Sequence, residues 1–289
     1  MKKKLFIILI ILIIVLFIFY FRPIKGNSLI TEEYKNSSAY INNLYKSDEM
    51  FKHKLLDERE YYVYEALINA SIKDIPNVTI KCKEPKCYNA MIPSYNAIYL
   101  DHPELISFKG MNQYRYNDYE VTYRNYSNLG TLKTYLATKR IERIMENLRN
   151  KTKDMNDKDK IIFVYNYVAS HNYDRLMMTY RDNQSAYSFF SLFGGSSVCA
   201  GFAKASQIIF QNVGINSYLV MNDKHMWNYV EYEGKYYIFD ATMGASYRNK
   251  ENIHFYDGLG ETTTGDIKGM YSEYYPEIQT DKLKDIFNL

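Results

Sequence analysis

The chain lacks several features that would narrow its class at once. Its charges nearly cancel, with 36 Lys and Arg against 33 Asp and Glu, a formal +3 over 289 residues. Part of that excess sits in the leader Lys2-Lys3-Lys4, so charge gives no reason to expect a nucleic-acid partner. No internal repeat is visible. There is 1 tryptophan, and there are 3 cysteines. Cys82 and Cys87 bracket the turn-like run Lys83-Glu84-Pro85-Lys86. No matched Cys/His pair lies near them, so neither a metal site nor a metal cofactor is expected. Outside the cytoplasm such a pair can close a local disulfide. That leaves Cys199 as the odd thiol, the position in which a reactive cysteine is found.

Long apolar runs are scarce too, with one exception. After the three lysines the sequence is apolar without a break from Leu5 to Phe21, and Arg22-Pro23 ends it. A run of this size is at the lower limit of the ~17–25 residues that span a bilayer. No small-x-small cleavage site follows, since Ile24-Lys25-Gly26 is a poor candidate. The expectation is an uncleaved single-pass signal-anchor over residues 1–26. The lysines stay cytoplasmic and the rest of the chain lies outside the cytoplasm.

What remains, roughly 260 residues, suits one large domain or two small ones. Tyrosine is abundant, at 31. Residues 27–51 are polar and mixed, as a linker or stalk is. Asp57–Ser71 opens with acidic residues and repeats Tyr61, Tyr64, Leu67 and Ile68 at helical spacing. Pro103 makes Asp101-His102-Pro103-Glu104 a turn or helix cap rather than a ligand set. Tyr114–Tyr126 alternates aromatic and polar residues, as one half-exposed strand would. Leu132–Leu148 predicts an amphipathic helix with Ala137, Ile141, Ile144, Met145 and Leu148 on one face. Asp159–His171 predicts a second, with Ile161, Val164, Tyr165 and Val168 inward and His171 at its C-terminal end. Asn150–Asp159 reads as a hinge between them, and Ile253-His254-Phe255 as a late strand.

The densest chemistry lies between Gly194 and Thr242. Cys199 follows a Gly/Ser-rich turn and precedes a helix predicted over roughly Ala200–Asn212. His225 opens one strand, and Asp240 sits near the end of the next. The Glu233-Gly234-Lys235 turn between them reads as a β-hairpin. If that turn centres on Glu233-Gly234, the partner of His225 falls near residue 242. Asp240 is then an even offset away and shares its sheet face. The gap, about 7 Å along a strand, is one that an imidazole and a carboxylate can close. Taken singly, each residue has a plain structural reading: a core cysteine, an edge histidine, a turn aspartate. Taken together they suit thiol chemistry. A helix N-terminus and an imidazolium both favour the thiolate, which is the nucleophilic form. The aspartate fixes the imidazole tautomer, and the first helical amides can donate to an oxyanion.

These segments resemble the transglutaminase-like superfamily, whose fold is related to papain-like cysteine peptidases. The run Ser197-Val198-Cys199-Ala200-Gly201-Phe202-Ala203 is similar to that family's Gly-x-Cys-x-Gly-(Tyr/Phe)-Ala. His225-Met226-Trp227-Asn228-Tyr229-Val230 is similar to its His-x-Trp-Asn-x-Val. Tyr236-Tyr237-Ile238-Phe239-Asp240-Ala241-Thr242 is similar to its Trp-Tyr-x-x-Asp-x-Thr, with Tyr236 in place of Trp. An upstream Asp-His-Pro-Glu-Leu and the His171-Asn172-Tyr173-Asp174 helix ending are also similar to sequences seen in bacterial members. The resemblance implies Cys199 as nucleophile, His225 as base and acid, and Asp240 as orienter, with Trp227 and Gly201 as binding residues. No glutamine occupies the position of the papain-like oxyanion side chain. Gln184 and Tyr187 are the nearby candidates.

The expected architecture is therefore α+β. A transglutaminase-like domain over residues 131–289 packs its nucleophile helix on an antiparallel sheet. A smaller helix-and-strand region over 27–130 packs on it, behind the anchor. The expected activity is acyl transfer on peptide or amide bonds of a peptide or protein substrate, with the cell envelope as its setting. It needs no metal or organic cofactor. Water as acceptor makes a peptidase or amidase, which is the favoured outcome. A lysine amine makes a cross-linking enzyme, and a binding module that has kept the fold is the non-catalytic alternative.

Overall fold

Capping chemistry sets where the first helices begin. The structure, a computed structural model, describes residues 48–72, 77–81, 85–105, 114–124, 130–174, 196–246 and 269–289. The apolar run Leu5–Phe21 lies outside these residues, as do Cys82, Gln184, Tyr187 and the segment around His254. Among the described residues no helix is long and apolar enough to cross a membrane. Helix α1, Met50–Leu55, starts where the Asp101 carboxylate accepts the amides of Phe51 and Lys52, at 3.1 and 2.9 Å. Helix α2, Glu58–Ile72, starts with a reciprocal box. The Glu60 amide donates to Asp57 Oδ1 at 2.8 Å, and the Asp57 amide to Glu60 Oε2 at 2.9 Å. Its buried face is Val63, Tyr64, Leu67 and Ile68; Tyr61, expected inward, is only partly covered.

Strand β1, Asn77–Lys81, and a single 3-10 turn, Cys87–Ala90, lead to helix α3, Met91–Asp101. The segment expected as one strand over Tyr114–Tyr126 is a hairpin, β2 Tyr114–Asn117 and β3 Glu120–Arg124. Asn117 Oδ1 accepts the Tyr119 amide at 2.9 Å and closes the turn. The alternation slips by one residue at Asn117-Asp118, two turn-forming residues that mark the break without a glycine or proline. The three strands form an antiparallel sheet in the order β1-β3-β2.

Helix α4, Gly130–Thr152, runs further than its apolar stripe, into the expected hinge. Ile141, Met145 and Leu148 are buried. Helix α5, Asp157–Ala169, begins early because Asn156 caps it, accepting the Asp159 amide at 2.9 Å. Ile161, Val164, Tyr165 and Val168 are all fully buried, as their spacing required. Strand β4, Asn172–Tyr173, pairs in parallel with β5, Ser196–Ser197. Helix α6, Cys199–Val213, ends at Gly214, whose φ of +79° is the left-handed cap that favours glycine. Strands β6 Ser217–Met221, β7 Met226–Tyr232 and β8 Lys235–Phe239 form an antiparallel meander. Short helices α7, Ala241–Ser246, and α8, Leu283–Ile286, follow. The architecture is α+β.

The described residues belong to one unit. Two buried clusters hold it together, and α6 contributes to both. Phe202, Ala205, Ile208, Ile209 and Phe210 join Val164, Tyr165 and Phe239 in one. Ala200 and Ala203 join Tyr64, Ile98, Val121 and Trp227 in the other. The sheet divides the same way: Tyr237 and Phe239 face the first cluster and Ile238 the second, with the strand period of two. The elements before α4 thus form a layer on one side of α6, with α4 and α5 on the other. From Ala200 to Phe210 every residue of α6 is buried, so the polar residues of that stretch have no solvent face.

Candidate active site

Cys199 is the first residue of α6, and its side chain is half-buried. The Ser196–Ser197 pairing with Asn172–Tyr173 leads the chain into the helix, and the Asp174 amide donates to the Ser197 carbonyl at 2.8 Å. The amides of Gly201 and Phe202 both donate to the Val198 carbonyl, at 2.9 and 3.2 Å. Those of Cys199 and Ala200 precede the first intrahelical bonds, where helix N–H groups point outward. Gly201, one of the expected binding residues, is therefore buried with its amide engaged inside the helix.

His225 stands immediately before β7, and Asp240 immediately after β8. The register is the expected one, Asn228 opposite Phe239, so Asp240 and His225 share a face at the open end of the hairpin. The turn is set by Glu233 and Gly234, at φ +50° and +74°, the left-handed pair of a two-residue hairpin loop. His225 Nε2 lies 2.6 Å from Asp240 Oδ2. The other Asp240 oxygen accepts the Thr242 amide at 2.9 Å and so caps α7. The histidine is held from its backbone as well. Asn222 Oδ1 accepts the amides of Lys224 and His225, at 2.9 and 2.8 Å.

His225 is 8% exposed and Asp240 1%. Burial alone would lower the imidazole pKa. Hydrogen bonds to Asp240 and to the Cys199 side chain, with the charges on both, overcome it and raise His225 to about 10. Asp240 occupies Nε2, which leaves Nδ1 as the ring nitrogen open to Cys199. Of the three expected residues, His225 and Asp240 are thus in direct contact, and Cys199, at the start of α6, acts on the same imidazole.

Trp227, the other expected binding residue, is fully buried and stacked on His225, with centroids 5.8 Å apart and planes at 17°. It supports the ring from behind. Asn228 donates to the Ala203 carbonyl at 3.1 Å and to Gln207 Oε1 at 3.2 Å, and Gln207 Nε2 to the Ser217 carbonyl at 2.6 Å. These bonds tie α6 to the sheet and fix Cys199 relative to His225. A cavity of about 280 Å³, lined by Asp48, Phe51, Asp101, Gln207, Gln211 and Tyr236 among others, opens elsewhere, and none of the three residues lines it.

Several neighbours of the site were given no site role by the sequence. Tyr173 and Tyr99 both feel the charge of Cys199, and burial first, then that charge, keeps each hydroxyl pKa above its usual value. The Asp101-His102-Pro103-Glu104 run is more than a turn. Asp101 caps α1, while His102 Nδ1 lies 2.7 Å from Glu104 Oε1 and His102 Nε2 lies 2.8 Å from the Tyr64 hydroxyl. Both His102 and Glu104 are buried behind α6.

No protein-family model matches the chain, and no curated protein matches it in sequence.

Proposed function

We propose that the chain is a transglutaminase-like thiol enzyme that opens peptide or amide bonds by acyl transfer, with water as the final acceptor. The observation that carries this reading is the 2.6 Å hydrogen bond between buried His225 and Asp240, with Cys199, at the start of α6, as the other group that raises the imidazole pKa.

The chemistry follows from that geometry. His225, its pKa raised to about 10, already holds the proton as an imidazolium, and the Cys199 sulfur attacks the substrate carbonyl carbon as the thiolate. Asp240 holds the imidazolium in orientation. The carbonyl oxygen, now negative, faces the outward amides of Cys199 and Ala200. Collapse breaks the C–N bond, and the imidazolium gives its proton to the leaving amine. An acyl thioester remains on Cys199. His225 then takes a proton from water, the hydroxide attacks the thioester, and the carboxylic acid leaves as the thiol is restored. We further propose that residues 1–26 anchor the chain with the site outside the cytoplasm, facing envelope peptides or proteins.

The test is labelling of the purified full chain with a peptide-based thiol-reactive probe, followed by mass mapping and a peptide-library digestion. Labelling confined to Cys199, lost in His225→Ala, with new peptide termini in the digest, is the expected result. A Cys199 that labels no faster than free cysteine would overturn the catalytic reading and leave a binding module. Protease added to intact cells should digest the chain; full protection would overturn the topology.

A further inference from the structure

The cavity of about 280 Å³ lies where α1 and the end of α3 meet α6 and strand β6. Its volume is that of a site for a small molecule, at the lower end of the usual range. Asp48, Gln211 and Asn216 are exposed and mark its mouth. Leu100, Asp101 and Gln207 are buried and form its floor.

Its charge is one-sided. Two carboxylates line it, Asp48 and Asp101, and among the described residues no lysine, arginine or histidine does. A third carboxylate is held at its edge. Asn216 Nδ2 donates to Glu231 Oε2 at 2.7 Å, and the Tyr236 hydroxyl donates to the same oxygen at 3.2 Å. The basic side chains of α1 are engaged on other groups. Lys52 Nζ lies 2.8 Å from both Glu49 and Glu65, His53 Nε2 lies 3.9 Å from Glu49, and Lys54 donates to the Tyr274 carbonyl at 2.9 Å. His102, next to Asp101 in the chain, is bonded to Glu104 and Tyr64. Asp101 itself accepts the amides of Phe51 and Lys52 and forms no ion pair among the described residues. Burial pushes its carboxyl up to about 7, the direction expected of a carboxylate short of a positive partner.

A second observation is independent of the charge. Ser217 also lines the cavity, and its hydroxyl is buried with no hydrogen-bond partner in the protein. Buried polar atoms are paired in the large majority of cases, so an open one calls for an explanation. The rest of the wall is apolar and aromatic. Tyr218 and Tyr236 line it with ring centroids 5.5 Å apart, together with Phe51 and Leu219. Aromatic faces attract an organic cation.

We propose that this cavity is a binding site for a small organic monoamine in its ammonium form, separate from the Cys199 site. The carboxylates supply the charge, the aromatic wall takes the apolar body, and the open Ser217 hydroxyl offers the ligand a hydrogen bond. The same carboxylates repel an anion. None of this depends on Cys199 being a nucleophile.

Three probes of nearly equal shape read the charge: phenethylamine, 2-phenylethanol and phenylacetate, each titrated calorimetrically into the purified full chain. Phenethylamine should bind at least about tenfold more tightly than the alcohol, and phenylacetate should not bind. Asp48→Asn and Asp101→Asn should each weaken phenethylamine on the order of tenfold. Asp101 also caps α1, so a variant that leaves both carboxylates in place is needed. Ser217→Phe fills the cavity and should bind none of the probes while still melting cooperatively. If that variant does not fold, Asp48→Asn, at an exposed position, decides. Cys199→Ala should bind phenethylamine as wild type does. Absence of phenethylamine binding, equal binding of the alcohol, or binding of phenylacetate overturns the proposal. So does wild-type affinity in Asp48→Asn or in a folded Ser217→Phe. Loss of binding in Cys199→Ala would put the amine in the thiol site and overturn it as well.

Discussion

His225 and Asp240 meet at the open end of a hairpin, one residue outside each strand, with Nε2 and Oδ2 2.6 Å apart. The same carboxylate caps α7 through the Thr242 amide. A side chain bonded through both oxygens has little freedom left, so the imidazole it holds has a fixed direction. The pair is oriented by secondary structure on both sides and does not depend on a substrate to form.

The first prediction concerns this unit. Cys199→Ala and His225→Ala should each abolish turnover of any peptide substrate, with losses on the order of 10⁶-fold, as in triads whose members act together. The double variant should be no worse than either. Asp240→Asn should retain more activity, because a thiol needs less help than a hydroxyl. Steady-state kinetics on the three variants and the double decide this, and additive losses would mean that the residues act separately.

A second prediction follows from the raised His225 pKa. The group stands at about 10 in the folded chain, against an ordinary value of 6.5. A base with a raised pKa contributes its full stability below its unfolded value and loses it as pH rises through the folded one. The stability difference between wild type and His225→Gln should therefore be largest near pH 6 and shrink toward pH 10. Denaturant melts at pH 6, 8 and 10 measure it. A difference that is constant with pH would place the proton elsewhere.

Asn228 gives a third. It is 1% exposed and donates to the Ala203 carbonyl and to Gln207. Asn228→Leu removes the bonds to the Ala203 carbonyl and to Gln207 and puts a bulkier apolar side chain in their place, which costs about 1–3 kcal/mol. Urea unfolding should show the loss. The alkylation rate of Cys199 should fall too, since α6 is no longer tied to the strand that follows His225. A variant as stable as wild type would mean that these bonds are replaced locally.

Much of the site was legible because its determinants are local. The Glu233-Gly234 turn fixes the register, the register fixes the face shared by His225 and Asp240, and the segment around Cys199 announces a helix start. The parts that could not be read depend on what packs from afar. Lys204 in an alanine-rich helix looks like a solvent-facing residue until a second layer covers it. His102 and Glu104 look like a surface turn because Pro103 is there, and only the approach of Tyr64 and α6 makes them a buried pair. Asp101 caps a helix some fifty residues earlier in the chain, at Phe51 and Lys52. The chain's one tryptophan, suggestive of a binding surface, is instead the plate on which His225 rests.

The last prediction tests whether the packing of α7 reaches the site. A Cβ placed on Gly244 would lie 2.7 Å from the Tyr165 hydroxyl and 2.9 Å from the Ala169 Cβ. Neither neighbour can retreat: both are fully buried, and Tyr165 stands edge-on to Phe239 at 5.8 Å. Gly244→Ala must therefore push α7 outward, an overpacking that costs about 1–3 kcal/mol. Because Asp240 caps that helix, the push draws its carboxylate away from His225. The variant should lose stability and also lose Cys199 alkylation rate at neutral pH. Gly214→Ala is the control. Its φ of +79° makes it a strained position, yet a Cβ there meets nothing within 4 Å. It should cost stability and leave the alkylation rate at the wild-type level. Adding Tyr165→Phe to Gly244→Ala removes the hydroxyl that makes the closest contact and should restore part of both losses. Equal effects of Gly244→Ala and Gly214→Ala on alkylation would show that α7 carries no load for the site.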